Sequence, residues 1–132
     1  TDAGIAYVMA HEIGHVVGGH HAEIYSQQVA AGGIAAISGI FGGNTVSSLV
    51  SDGLSITLLK YNRDQEYEAD KYGMIFMAMA GYNPEEAIKV EERMGKLTNS
   101  NGSDFLSTHP RSMRRIEELK KFLPEAMKYY KR

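Results

Sequence analysis

Cysteine is absent from all 132 residues, which excludes a disulfide scaffold, a thiolate metal site and a thiol nucleophile together. The redox compartment stays open, because a cysteine-free chain is stable in either. Lysine and arginine are missing from residues 1–59, which hold only four acids, Asp2, Glu12, Glu23 and Asp52. All fourteen bases lie in residues 60–132 beside twelve acids, and residues 111–132 alone carry eight bases against three acids. The formal net charge is −2, so bulk electrostatics argue against a nucleic-acid partner. The basic tail reads as a solvated helix face, with a partner or an anionic membrane surface as the alternative.

Residues 24–51 carry no charge of either sign. Their glycine-rich centre, over 29–43, is too short and too interrupted for a membrane span, which needs about 20 apolar residues. The uncharged segment 29–46 therefore reads as a mobile loop or a short packed helix, or else as a membrane-dipping or substrate-gating piece. No internal repeat is found. The chain opens Thr1-Asp2-Ala3 without an initiator methionine or a signal peptide, and its apolar periodicity is running by Ile5. It reads as a piece of a longer protein.

What remains is ordinary globular material. At 14.6 kDa, with 43% hydrophobic and 23% charged residues, the chain suits one domain with a single core, residues 1–132, and excludes a disordered or fibrous one. The pattern is mostly helical and offers no convincing strand. Residues 3–22 predict one helix, with Ile5, Val8, Met9, Ile13, Val16 and Val17 spread so widely that it should be buried nearly all round. Gly14 and Gly18, four apart, either admit a close neighbour or merely loosen the helix. Residues 45–60 predict a moderately amphipathic helix. Asp64 is placed as the cap of a helix to Ala80, stopped by Gly81 in the left-handed region. Asn83-Pro84-Glu85-Glu86 is a helix start, and that helix runs to about Leu97. A polar loop over 99–108 precedes a basic amphipathic helix from about Arg111, with Ile116, Leu119 and Leu123 on one face and a kink or restart at Pro124. Met74 and Met77 read as core filling.

The chemistry begins with His11-Glu12-Ile13-Gly14-His15. At about 3.6 residues per turn the two histidines share one helix face and can reach one metal ion. Glu12 is offset by about a quarter turn, free to hold a proton instead of the ion. An exposed polar stripe is the plain alternative, but on a helix so apolar two imidazoles and a carboxylate would be buried at a cost that a metal removes. A catalytic zinc site needs three protein ligands and an open position. His20 and His21 sit at the wrong angle or too far along the axis. Glu66 and Asp70, one turn apart on a later helix, are better placed. Glu66 can give an oxygen ligand while Asp70 accepts the outer N–H of a ligating histidine and fixes its tautomer. Glu68 points elsewhere, to solvent.

These segments, with Arg63-Asp64-Gln65-Glu66-Tyr67-Glu68-Ala69-Asp70, Ala80-Gly81-Tyr82-Asn83-Pro84, Thr108-His109-Pro110 and Arg115-Ile116, resemble metallopeptidase family 48. These are the gluzincins that include the CAAX prenyl protease, the heat-shock protease HtpX and periplasmic chaperone-like proteases. The likeness runs over nearly the whole chain through four ordered motifs. It implies a zincin-like core, mostly α, with one zinc per chain held by His11, His15 and Glu66, Glu12 as catalytic carboxylate and Asp70 behind the ligands. It also implies a small upstream β-sheet that this chain does not contain. The implied reaction is peptide hydrolysis, with zinc acidifying a water and polarising the scissile carbonyl while Glu12 moves the proton. His109, held extended by Pro110, is the candidate oxyanion donor, or else a fourth ligand that excludes water. A surface loop histidine is its plain alternative. Arg115 is expected to pair with an acid near the site. The expected substrate is polypeptide, of unfolded or membrane-associated proteins, in a bacterial envelope, periplasmic or membrane-anchored. A latent zinc-binding chaperone or assembly module is the second reading.

Overall fold

The computed structural model describes residues 1–42, 60–97, 108–109 and 113–131. The described elements are α1 (Asp2–Val17), α2 (His20–Gly42), α3 (Arg63–Met79), α4 (Glu85–Leu97) and α5 (Met113–Ala126), followed by a short 3-10 turn, Met127–Tyr129. No strand occurs among the described residues. The helix expected at 45–60 and most of the loop expected at 99–108 lie outside them. The chain divides into two compact units, one of Thr1–Gly18 with Lys60–Arg132 and one of Gly19–Leu59.

The first unit is built on α1 crossing α3, with α5 laid on α3 and α4 against both α1 and α5. Its core is Tyr7 and Ala10 of α1, Met74 and Met77 of α3, Ala87, Ile88 and Val90 of α4, and Leu119 and Ala126 of α5. Ile116 and Leu123 pack on its edge, so the apolar face expected on α5 and the core methionines of α3 are where the spacing places them. The crossing is close because glycines stand at it. A Cβ on Gly14 would lie 2.8 Å from the Ala69 carbonyl oxygen and 3.1 Å from Ala69 Cα, both backbone atoms that cannot step aside. A Cβ on Gly73 would meet His11 N at 3.1 Å from the other side. Of the two sequence alternatives for Gly14, the close approach is realised. Gly18 instead caps α1.

Several local expectations are corrected. The single helix over 3–22 is two helices, parted where Gly19 takes a φ of +69°. Nor is α1 buried all round: Ile5, Met9, Ile13, Val16 and Val17 are 50–67% exposed. The buried side is taken by Gly4, Tyr7, Ala10, His11, Gly14 and His15, so the polar motif displaces the aliphatic residues outward. The cap of α3 is Asn62 and not Asp64, because Asn62 Oδ1 accepts from Gln65 N at 2.9 Å while Gln65 Oε1 accepts from Asn62 N at 3.0 Å. That reciprocal box satisfies two orphan amides at once. Gly81 does stop α3 at φ +85°, and Asn83 Oδ1 accepts from Glu85 N at 3.0 Å to start α4. Helix α5 runs through Pro124 to Ala126, so no restart occurs there; the proline leaves the Lys120 carbonyl without its usual helical donor, with only two helical residues beyond it.

The second unit is described through α2. Residues 29–42, for which a loop was one expectation, continue a 23-residue helix. No proline interrupts them, and the alanines between the glycines are good helix formers. No helix among the described residues is long and apolar enough to cross a membrane.

Candidate metal centre

The α1–α3 crossing turns His11 and His15 toward Glu66, and the segment at 108–109 adds His109 from another side. All four side chains are buried, and one donor atom from each lies within 4.8 Å of the others. His15 Nε2 is 3.1 Å from His11 Nε2 and 3.1 Å from Glu66 Oε1. His109 Nδ1 is 2.9 Å from Glu66 Oε1 and 3.3 Å from His11 Nε2. Four ligands at 2.0–2.1 Å from a tetrahedral ion stand about 3.3 Å apart, so these atoms are spaced as the corners of such a site. The donor set of imidazole nitrogens and a carboxylate oxygen suits a divalent transition metal. The residues therefore fit the ion that the sequence implies. His20 and His21 open α2 and are not in the cluster.

Behind the donors stands a charged layer. Asp70 Oδ1 lies 2.9 Å from His11 Nδ1 without meeting hydrogen-bond geometry, a contact that favours the tautomer protonated there, with the Nε2 lone pair turned to the other donors. Arg115 grips Asp70 with Nε at 2.8 Å and NH2 at 2.6 Å, and its NH1 reaches Glu66 Oε2 at 2.7 Å. Burial alone would raise Asp70, but Arg115 and His11 hold its carboxyl down at about 2. Glu66 follows the same logic: contacts with His109, His15 and Arg115 overcome burial and hold it at about 2. Burial lowers His15, keeping its imidazole neutral, as a metal ligand must be. Arg115, though buried, is held firmly protonated by Asp70 and Glu91.

Glu12 sits at the rim with its side chain 43% exposed, and Oε1 is 3.1 Å from His109 Nε2. That contact is the main reason its carboxyl is lowered. Burial pushes the His109 imidazolium down, but Glu12 and Glu66 outweigh it and raise it to about 9. All seven residues singled out in the sequence, Glu12, His109, His11, His15, Glu66, Asp70 and Arg115, thus meet at one place.

Three further residues join them that the sequence reading missed. Tyr61 stacks on His15 with ring centroids 3.7 Å apart, and its N–H donates to the Thr108 carbonyl at 3.0 Å, tethering the His109 segment. Tyr7 donates to Asp70 Oδ1 at 2.8 Å. Glu91 of α4 faces Arg115 at 3.4 Å. Only Tyr7 carried a signal, its place one turn before His11. Nothing in the sequence marked Tyr61 or Glu91.

A helix-borne HExxH whose companion carboxylate comes from a later helix, with the outer imidazole nitrogen on an aspartate, defines a zincin-like metallopeptidase core of the gluzincin kind. The family model described as Peptidase family M48 matches residues 1–123, and the chain belongs to that family. It is 38% identical to the mitochondrial metalloendopeptidase OMA1 of Saccharomyces cerevisiae, over 98% of this chain and 39% of the relative. Identity to the mitochondrial metalloendopeptidase OMA1 of Arabidopsis thaliana is 34%, over 99% of this chain and 27% of the relative. The metalloprotease LoiP of Escherichia coli is 29% identical, over 91% of this chain and 49% of the relative. The chain thus spans between about a quarter and a half of the length of these relatives. No solved structure matches it significantly. The OMA1 relatives are named as mitochondrial, which overturns the expected bacterial, periplasmic setting.

Proposed function

We propose that the chain is the catalytic region of a zinc-dependent endopeptidase in which His11, His15 and Glu66 hold the ion and Glu12 moves the proton. One observation carries this: three of the four converging donor atoms come from two different helices, at separations a tetrahedral ion requires. When bound, the ion would supply Lewis acidity toward a water and a scissile carbonyl. Glu12, beside the cluster and held ionised by His109, is placed to take a proton from the attacking water and pass it to the leaving amine. Asp70 fixes the His11 tautomer, and Arg115 braces Asp70 and Glu66 together. The family resemblance supports unfolded or membrane-associated polypeptides as substrates.

A second reading has its own observation. His109 Nδ1 stands where the fourth ligand would be, while its Nε2 engages Glu12. Catalytic zinc sites keep that position open and structural ones close it. Were neutral His109 to take that position, it would close the site to water and engage the base, which supports a latent form as the second reading. In the working state His109 would swing away and donate to the oxyanion.

The test uses the intact protein, a casein-type cleavage assay and metal analysis. Glu12→Gln should retain about one zinc per chain and lose about 10²–10⁴-fold in turnover, the usual weight of a general base. Undiminished cleavage by Glu12→Gln would refute its assignment as base. His109→Ala should raise activity if latency dominates and lower it if oxyanion support does.

A further inference from the structure

Tyr7 lies one turn ahead of His11 on the buried side of α1 and is 1% exposed. Its ring belongs to the apolar core, where phenylalanine would fill the same space. Its hydroxyl does something a phenylalanine could not: it donates to Asp70 Oδ1 at 2.8 Å. That single oxygen also faces His11 Nδ1 at 2.9 Å and Arg115 NH2 at 2.6 Å. Arg115 comes from α5 and grips Asp70 in the plane of its guanidinium. Tyr7 comes from α1, the helix that bears His11, and so ties the aspartate of α3 to the imidazole's own helix. The two helices touch here through Gly73, where a Cβ would meet His11 N at 3.1 Å and Tyr7 Cε2 at 3.3 Å. Phenol and imidazole therefore approach one carboxylate oxygen across a crossing with no slack.

We infer that Tyr7 is a positioning residue for the metal centre, its hydroxyl fixing the Asp70 oxygen that orients the His11 ring toward the ion. This rests on the metal-centre reading above. Outer partners of this kind set ligand orientation and basicity, and removing one lowers metal affinity by about 10–100-fold. A buried tyrosine kept only for packing would have no such effect.

The experiment compares wild type, Tyr7→Phe, Asp70→Asn and the double variant of the intact protein. Zn²⁺ affinity is read by chelator competition and coordination by the visible spectrum of the Co²⁺-substituted protein. Tyr7→Phe should weaken Zn²⁺ at least about tenfold and shift the Co²⁺ bands. In the Asp70→Asn background the same change should add less than about twofold, because the two residues act through one bond. Wild-type affinity and an unshifted spectrum in Tyr7→Phe would overturn the inference, as would equal losses in both backgrounds. If wild type itself bound neither Zn²⁺ nor Co²⁺, the metal-centre reading would fall first, a result distinct from either.

Discussion

The two sides of α1 reverse the usual order of a helix. Its inner side carries Tyr7, His11, Gly14 and His15 and is closed against α3, while its outer side shows Ile5, Met9, Ile13 and Val16 to solvent. Polar groups face inward here because every one of them meets charge or another donor. Asp70, Glu66, Glu91 and Arg115 are the means, buried charges that each face one of opposite sign. The outer side has no such ordering partner among the described residues. What separates the sides is specificity: the inner one is determined atom by atom, and the outer one only by area.

That contrast can be broken most forcefully at its centre. Arg115→Met should destabilise the protein by about 3–5 kcal/mol, because it strands buried carboxylates without their counter-charge. Chemical denaturation measures it, and a loss below about 1 kcal/mol would show that the inner layer is not held by charge. Acid attacks the same layer. Asp70 and Glu66 both have folded values near 2, below their ordinary 3.8 and 4.5. Their stabilisation is therefore present above about pH 4.5 and is lost as pH falls toward 2, on the order of 2 kcal/mol for Asp70 and about 3 kcal/mol for Glu66. Thermal melts across that range in the presence of chelator should show the decline. With metal present, release should come earlier, since the imidazoles must be neutral to bind.

Gly14→Ala tests the closure of the two helices. Its Cβ would press on backbone at 2.8 Å, so about 1–3 kcal/mol of stability should go, with weaker metal binding beside it. The smallest effect is expected outside. Met9→Lys should alter stability by less than about 0.5 kcal/mol if the outer side is bare. A cost of 2 kcal/mol or more would show that some other part of the intact protein covers it.

The same contrast explains what the sequence made legible. The HExxH spacing and the ExxxD spacing are both local, one turn each, so His11, His15, Glu66 and Asp70 could be paired before any fold was known. The glycine and proline punctuation at Gly81 and Asn83-Pro84 is equally local, and it located α3 and α4. Tyr61 and Glu91 depend on which segments meet, and residue type alone does not carry that, whereas the cap was legible, since Asn62 with Gln65 three residues on forms a capping box and Asp64 has no such partner. The outer side of α1 misled for a related reason. Apolar residues on most of a circumference imply burial only when nothing polar has a prior claim to the interior, and the motif has that claim.

The glycine contacts of the α1–α3 crossing bear on which element the protein would accept. With Gly14 and Gly73 backed against opposing main chain, the helices already stand about as near as two backbones can, which sets the separation of the donors they carry. A bulkier residue at either position would push the donors of the two helices apart. Calcium, seeking six to eight oxygens at about 2.3–2.6 Å, would find too few donors set too close, whereas a smaller, nitrogen-tolerant ion would fit without strain.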